Sequence, residues 1–367
     1  MFRSALMVLF SLILIIQFPV QAKTAASSGT DAERSNVKKS TKAKAVKRRV
    51  ATKTVSSRDR RAKPVRQTAT VRGKQKVTYR RVAVRSVLPA VPPALSVGDL
   101  AGLNLTQDPL ELKSSVALVI DPVDSKVLFE KNSAVPLPIA SLTKLMTSLI
   151  VVEAGQDMNE LLEITEADVD REKNTHSRLR VGMHMTRADL LHIALMSSEN
   201  RAASALGRNY PGGLTVFVAA MNAKAKALGM SETRYVEPTG LSSHNVASAR
   251  DLAKLVLAAG QHPLIRQYST DEKYMVDSGG RTLAYANSNR LVANPAWDIG
   301  LQKTGYISEA GRCLVMLTKI DGRSIVMVFL DSKGKFSRLA DAGRIRKWLS
   351  DLRPQHLSDA SHADGSG

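Results

Sequence analysis

Nearly all of the positive charge of this 367-residue chain lies in one segment near its N-terminus. The formal net charge is +20, and residues 34–85 alone contain 20 Lys or Arg residues and a single acid, Asp59. Such a segment has too little apolar surface to offset the conformational entropy lost on folding. The rest of the chain is almost neutral, so a folded body is predicted only after this segment, over residues 100–352.

The first residues have the pattern of an export signal. Arg3 precedes the apolar run ALMVLFSLILII, and the small residues of VQA end at Ala22. Residues 1–22 are therefore predicted to be a signal peptide, with an uncleaved membrane anchor as the alternative. The expected location is the periplasm, soluble or loosely associated with the envelope. Residues 353–367 are mostly polar and are predicted to be a disordered tail without a C-terminal anchor.

Residues 23–99 are predicted to be a disordered linker that is basic at first and then Pro-rich, ending in VLPAVPPALSVG. Two interpretations are open for its basic part: an arm that binds acidic surfaces of the cell envelope, or a solvated spacer. Nucleic acid is the usual partner of a basic arm. The export signal argues against that partner, so no nucleic-acid binding is expected.

The predicted body has strands at both ends and helices between them. Residues 114–131 form two strand-like runs around Asp121-Pro122-Val123-Asp124, which predicts a β-hairpin. Helical periodicity and strand-like runs follow in separate parts of the chain. The helices are predicted at 138–155, 186–196, 212–230, 248–260 and 338–352, and the later strands at 274–277, 298–306, 313–320 and 324–330.

The helix predicted at residues 138–155 begins with a serine and a lysine three positions apart, Ser141 and Lys144, which would share one helix face. A serine hydroxyl needs a base before it can act as a nucleophile. The chain has no G-x-S-x-G elbow for a Ser-His-Asp triad and no H-E-x-x-H metal motif. Lys144 is the alternative base, because desolvation and neighbouring positive charge would both favour its neutral amine.

Two further short motifs accompany this pair. Ser198-x-Asn200 lies on a turn between two helices, and Lys303-Thr304-Gly305 lies on a late strand. Lys303 and Thr304 would offer a cation and a hydroxyl to a substrate carboxylate, while Gly305 would let a ligand approach the strand edge. Each short motif is weak by itself, since S-x-x-K also occurs at Ser35 and Ser332, and S-x-N at Ser243.

Taken together and in this order, the three motifs resemble the active-site motifs of penicillin-recognising serine enzymes. Residues 100–352 resemble the low-molecular-mass penicillin-binding proteins, and MSSENRAASALGRNYPGG resembles their D-alanyl-D-alanine endopeptidase branch. The resemblance implies an α/β (α+β) fold of the serine β-lactamase/transpeptidase type. Such a fold has an antiparallel sheet flanked by helices and a mostly helical subdomain.

The resemblance also implies a role for each residue. Ser141 would be the nucleophile, Lys144 its base and Ser198 a proton relay to the leaving amine. The substrate-binding residues would be Asn200, Lys303, Thr304, Gly305 and Tyr306, with the backbone N–H groups of Ser141 and Tyr306 forming an oxyanion hole. No metal or organic cofactor is expected. The implied partners are peptidoglycan stem peptides and, as covalent inhibitors, β-lactams.

The implied reaction is hydrolysis of D-alanyl-D-alanine cross-links by an endopeptidase, and a carboxypeptidase is the alternative that remains open. A class A β-lactamase would carry an E-x-x-L-N pattern between Asn200 and Lys303, and that pattern is absent. Glu237, in EPTGL, does not fit it. A wall-binding protein with a vestigial site is the remaining alternative, and the intact motifs argue against it.

Overall fold

The computed structural model describes residues 63–71, 74–82, 94–277 and 280–352. They divide into two compact units, which separate between residues 88 and 89. The predicted signal peptide, the C-terminal tail and most of the linker lie outside the described residues.

In the first unit, strands β1 (Lys63–Val71) and β2 (Lys74–Val82) pair antiparallel over their whole length. They fall within the linker that the sequence predicts to be disordered. Val and Thr recur among the basic residues of both strands, and these β-branched residues favour extended backbone.

The second unit contains the remaining elements, in which strands at both ends flank a helical block. Its helices are α1 (Val97–Leu100), α2 (Thr143–Glu153), α3 (Arg187–Met196), α4 (Asn200–Arg208), α5 (Gly213–Ala227), α6 (Ala249–Ala259), α7 (Pro263–Thr270) and α8 (Ser337–Asp351). Its strands are β3 (Ser114–Asp121), β4 (Lys126–Lys131), β5 (Leu137–Pro138), β6 (Leu161–Glu163), β7 (His184–Thr186), β8 (Val246–Ala247), β9 (Lys273–Asp277), β10 (Thr282–Ala286), β11 (Asp298–Ile307), β12 (Gly311–Ile320) and β13 (Arg323–Ser332).

Five strands form one antiparallel sheet in the order β11-β12-β13-β3-β4. Strand β3 is buried along its whole length, and its residues alternate between two cores. Val116 and Leu118 belong to the larger core, which includes helices α2 to α6, whereas Ala117 and Val119 belong to a smaller core beneath α8. The sheet therefore lies between two helical layers, and the predicted fold is confirmed.

The body begins earlier than the predicted boundary at residue 100. Residues 97–100 form helix α1, and its N-cap Ser96 makes a reciprocal capping box with Asp99. The sequence S-V-G-D carries this signal, but the Pro-rich run before it placed these residues in the linker. Among the described residues, no helix is long and apolar enough to cross a membrane.

Candidate active site

Ser141 lies in a tight turn that leads into helix α2. The turn is a short 3-10 helix, Ala140–Leu142, and α2 itself begins at Thr143. The prediction of one regular helix over 138–155 is therefore wrong at its first residues. Ala140 adopts a left-handed backbone conformation with φ of +48°, which is rare for a residue with a side chain.

Two glycines lie against the Ala140–Ser141 peptide and hold this turn in place. A Cβ atom on Gly240 would lie 1.9 Å from the Ala140 carbonyl oxygen, and one on Gly305 would lie 3.2 Å from the Ser141 nitrogen. Neither position has room for a side chain. Gly305 was expected to leave space for a ligand, but the group that occupies this space is the chain's own nucleophile turn.

Lys144 is fully buried beneath Ser141. Its Nζ donates hydrogen bonds to the Ser141 hydroxyl at 3.0 Å, the Asn200 side-chain oxygen at 2.7 Å and the Thr239 carbonyl at 2.6 Å. The amine is therefore held by three acceptors, one of which is the candidate nucleophile. Once the amine is neutral, it can still donate to Asn200 and Thr239 while its lone pair accepts the proton of Ser141, which is the arrangement that a base requires.

Burial lowers the pKa of Lys144 to about 8, while the carboxylates of Glu237, Glu199 and Asp170 act in the opposite direction. The sequence argument for a low pKa is thus right about desolvation. The positive charge that it placed beside Lys144 is that of Lys303, and the three acids oppose its effect on Lys144. The two lysines repel each other, and the pKa of Lys303 is lowered first by burial and then by Lys144 and Arg338.

The loop Glu237–Asn245 supports the base, although no sequence motif indicated this role. The Glu237 carboxylate accepts hydrogen bonds from the backbone N–H groups of Thr239 and Gly240, both at 2.6 Å, and from the Asn245 side chain at 2.9 Å. These bonds aim the Thr239 carbonyl at Lys144 and bring Gly240 against the nucleophile turn. The available signal was the Pro and Gly of EPTG, which indicate a tight loop but not its neighbour.

Ser198 lies in the predicted turn between α3 and α4, and Asn200 is the first residue of α4. Ser198 has φ of +65°, a strained value for serine. Asn200 accepts from Lys144 and donates through its side-chain nitrogen to the Thr175 hydroxyl at 2.9 Å. The Ser198 hydroxyl makes no hydrogen bond to any described residue.

Lys303, Thr304 and Gly305 lie on β11, which is the edge strand of the sheet. Lys303 is fully buried, and its amine donates to the Thr304 carbonyl at 2.9 Å. The Thr304 and Ser288 hydroxyls are 2.7 Å apart, and the Ser288 N–H donates to the carbonyl of Met196, the last residue of α3. Ser288, which no sequence motif indicated, thus links the Lys303 strand to the Ser198 turn.

Tyr306 follows Gly305 at the same strand edge. Its side chain is 56% exposed and lies under the guanidinium of Arg312, with 4.4 Å between the guanidinium carbon and the ring centre. The contribution expected of Tyr306 is its backbone N–H, not its side chain. The oxyanion hole formed by these two N–H groups stays a prediction.

The structure therefore joins Ser141, Lys144 and Asn200 directly through the Lys144 amine. It brings Gly305 against the same turn and Lys303 within electrostatic reach of Lys144. Within residues 94–277 and 280–352, no group of three or more His, Cys, Asp or Glu side chains could hold a metal ion.

The sheet has helices on both faces, and a buried lysine lies against a serine just before α2. Together these features define a class of protein, the penicillin-recognising serine enzymes. Comparison with solved structures agrees at the level of fold. The Streptomyces K15 DD-transpeptidase superposes with a TM-score of 0.62 at 23% identity, over 67% of this chain and 100% of that one.

The family is identified from sequence comparison. The family model described as D-alanyl-D-alanine carboxypeptidase, peptidase family S11, matches residues 103–334. A D-alanyl-D-alanine endopeptidase of Pseudomonas aeruginosa is 47% identical over 270 residues, 73% of this chain and 84% of the relative. One of Escherichia coli K12 is 42% identical over 278 residues, 75% of this chain and 89% of the relative. The chain belongs to this family and is a serine-type D-alanyl-D-alanine peptidase.

Proposed function

We propose that this enzyme is an endopeptidase that hydrolyses D-alanyl cross-links between peptidoglycan stem peptides through an acyl-enzyme. The observation that carries the proposal is the buried Lys144 amine, 3.0 Å from the Ser141 hydroxyl and low in pKa. The endopeptidase preference is supported by the names of the relatives that are 47% and 42% identical.

In the proposed reaction, the neutral amine of Lys144 takes the proton of Ser141 as its oxygen attacks the carbonyl carbon of D-Ala. The backbone N–H groups of Ser141 and Tyr306 stabilise the resulting oxyanion. The C–N bond then breaks, and Ser198 relays to the leaving amine the proton that Lys144 took from Ser141. Water hydrolyses the acyl ester and restores the serine hydroxyl.

The other site residues hold the substrate on each side of the scissile bond. Asn200 positions the amide of the acyl part. Lys303 and Thr304 hold the carboxylate of the leaving part, because a cation and a hydroxyl on one strand edge match a carboxylate. A β-lactam carries a comparable amide and carboxylate around a reactive carbonyl, so β-lactams are proposed as covalent inhibitors.

A carboxypeptidase is the second candidate, because it uses the same chemistry on a C-terminal D-Ala and is the activity in the family description. The purified protein should be incubated with a cross-linked muropeptide dimer and with a pentapeptide monomer. Faster cleavage of the dimer supports the endopeptidase. Release of D-Ala from the monomer alone would replace this proposal with a carboxypeptidase, and rapid turnover of nitrocefin would replace it with a β-lactamase.

The proposed location is the periplasm, after removal of residues 1–22. The support is the sequence pattern that ends at Ala22 and a proposed substrate that lies outside the cytoplasm. Mass spectrometry of the N-terminus of protein from a periplasmic fraction tests both points. A mature chain that starts at Met1 would contradict cleavage.

For the basic segment we propose binding to acidic envelope surfaces through charge. Its support is the composition of residues 34–85, which contain 20 basic residues and one acid. A polycationic segment concentrates an attached enzyme at an anionic surface without changing its active site.

A further inference from the structure

A small polar cavity adjoins the catalytic turn. It has a volume of about 190 Å³, and its lining includes Ser198 and Asn200 together with His176, Arg178, Glu199 and Tyr285. The proposed reaction uses Ser198 and Asn200 and assigns no step to the other four residues, although the charge of Glu199 acts on Lys144. Asn200, which is proposed to hold the acyl part of the substrate, lines this cavity. A substrate group that enters the cavity would therefore belong to the acyl part.

The floor of the cavity carries a buried acid and a buried hydroxyl. Glu199 is 9% exposed, and one of its oxygens accepts from the Arg201 N–H at 3.3 Å. The other oxygen, Oε2, accepts no hydrogen bond from the described residues. Tyr285 is 2% exposed, and within the described part of the chain its hydroxyl has no hydrogen-bond partner. A buried polar group without a partner is costly, so a ligand that supplies one is favoured.

Burial and the charge of Glu199 both raise the pKa of Tyr285, while Arg178 acts in the opposite direction. The tyrosine therefore stays neutral and lies within electrostatic reach of the acid. Together, the carboxylate and the hydroxyl can accept hydrogen bonds from an ammonium group.

The mouth of the cavity has the opposite charge. The Arg178 guanidinium lies over the Tyr285 ring, 3.8 Å from its centre, and donates to the Ala284 carbonyl. Arg178 and His176 are both exposed. The arginine has further N–H groups, which can bind a carboxylate at the mouth.

We propose that this cavity is a subsite for a zwitterionic amino-acid group, with an ammonium and a carboxylate on one carbon, at the end of a side chain in the acyl part of the substrate. The ammonium binds Glu199 and the Tyr285 hydroxyl, and the carboxylate binds Arg178. A diamino dicarboxylic acid immediately before the cleaved D-Ala has such a side chain. The subsite rests on the proposed peptidase function and specifies which stem peptides the enzyme selects.

Four synthetic esters test the subsite. Each has the form acyl-X-D-Ala-D-lactate, where X is diaminopimelate, lysine, 2-aminopimelate or norleucine. These side chains carry both charges, the ammonium alone, the carboxylate alone or neither. The lactate leaving group is common to all four, so a preference for the leaving amine does not affect the comparison.

For the wild-type enzyme we expect kcat/KM to fall about tenfold when either charge is removed and about a hundredfold when both are removed. Glu199→Gln removes the charge that binds the ammonium, so the variant should have the same kcat/KM for the diaminopimelyl ester as for the aminopimelyl ester. Arg178→Gln removes the charge that binds the carboxylate, so the variant should have the same kcat/KM for the diaminopimelyl ester as for the lysyl ester. Arg178→Lys should recover part of the preference for the diaminopimelyl ester. Any effect of Glu199 on Lys144 changes kcat/KM for all four esters by the same factor, so it cancels in a ratio measured with one variant.

Tyr285→Phe keeps the ring beneath Arg178 and removes only the hydroxyl, so the preference for the diaminopimelyl ester over the aminopimelyl ester should fall severalfold. Tyr235 is a matched control, because its hydroxyl is also buried without a partner among the described residues but lies outside this cavity. Tyr235→Phe should leave the ratio unchanged.

Equal kcat/KM for all four esters would overturn the subsite and leave the proposed function standing. Turnover of none of them, with no labelling by fluorescent penicillin, would overturn the proposed function and the subsite with it. Equal loss of the ratio in the Tyr285 and Tyr235 variants would assign the effect to stability and overturn the role of the cavity.

Discussion

At the scale of single residues, the reaction depends on one contact between a serine and a buried amine. Ser141→Ala removes the nucleophile, and we expect it to abolish labelling by fluorescent penicillin and to reduce turnover on the order of a million-fold. Lys144→Ala should be about as damaging, because members of a catalytic unit act together.

The matched control for this prediction is Ser35→Ala, which removes the serine of another S-x-x-K pattern in the chain. It should label like the wild type. Normal labelling of Ser141→Ala would show that a different serine is acylated.

The pKa of Lys144 sets the pH dependence of acylation. The amine accepts a proton only when it is neutral, and its pKa is about 8. The second-order rate of penicillin acylation should therefore rise with pH and level off above about 8. A stopped-flow series from pH 6 to about 10 measures this midpoint, and a flat profile would exclude Lys144 as the titrating base.

Lys303 and Thr304 are expected to recognise a carboxylate. Lys303→Ala and Thr304→Val should weaken substrates with a free carboxylate more than amidated ones, by roughly 1.5 to 3 kcal/mol for each lost charge-assisted bond. Comparing kcat/KM for each pair of substrates measures the difference. Equal losses on both members of a pair would assign these residues a structural role.

At the scale of elements, the nucleophile turn is held between the Glu237–Asn245 loop and strand β11. Gly240→Ala would place a Cβ atom 1.9 Å from the Ala140 carbonyl oxygen at a residue with φ of +81°. We expect a lower melting temperature and loss of penicillin labelling. The control is Gly343→Ala in α8, where a Cβ meets no atom within 4 Å, so helix propensity should raise stability by about 0.4 to 1 kcal/mol.

Sequence patterns predicted the long elements well and the supports of the site poorly. Helical periodicity identified α3, α5, α6 and α8, and runs rich in apolar and β-branched residues identified the strands of the main sheet. Strands β5 and β8 have two residues each, too few to show any period. The position of Ser141 followed from its motif, but Glu237 did not, since its role depends on hydrogen bonds across a loop that residue spacing cannot reveal.

At the scale of the whole molecule, the basic segment and the catalytic body are expected to act independently. Deleting residues 23–93 should leave hydrolysis of soluble muropeptides unchanged. It should lower sedimentation with insoluble peptidoglycan at low salt, with the difference shrinking toward about physiological salt as charges are screened. Equal sedimentation of both proteins at every ionic strength would support a simple spacer.

The entry of the chain into the body has a mechanical consequence. The Val97 N–H, in the first turn of α1, donates to the carbonyl of Glu309 at 2.9 Å, in the turn that joins β11 to β12. If the preceding segment is held on a surface, tension along the chain is applied beside the end of the strand that carries Lys303. A pulling force would therefore load the turn between β11 and β12 through Val97, and the end of the central strand β13 through the ion pair of Asp99 with Lys333.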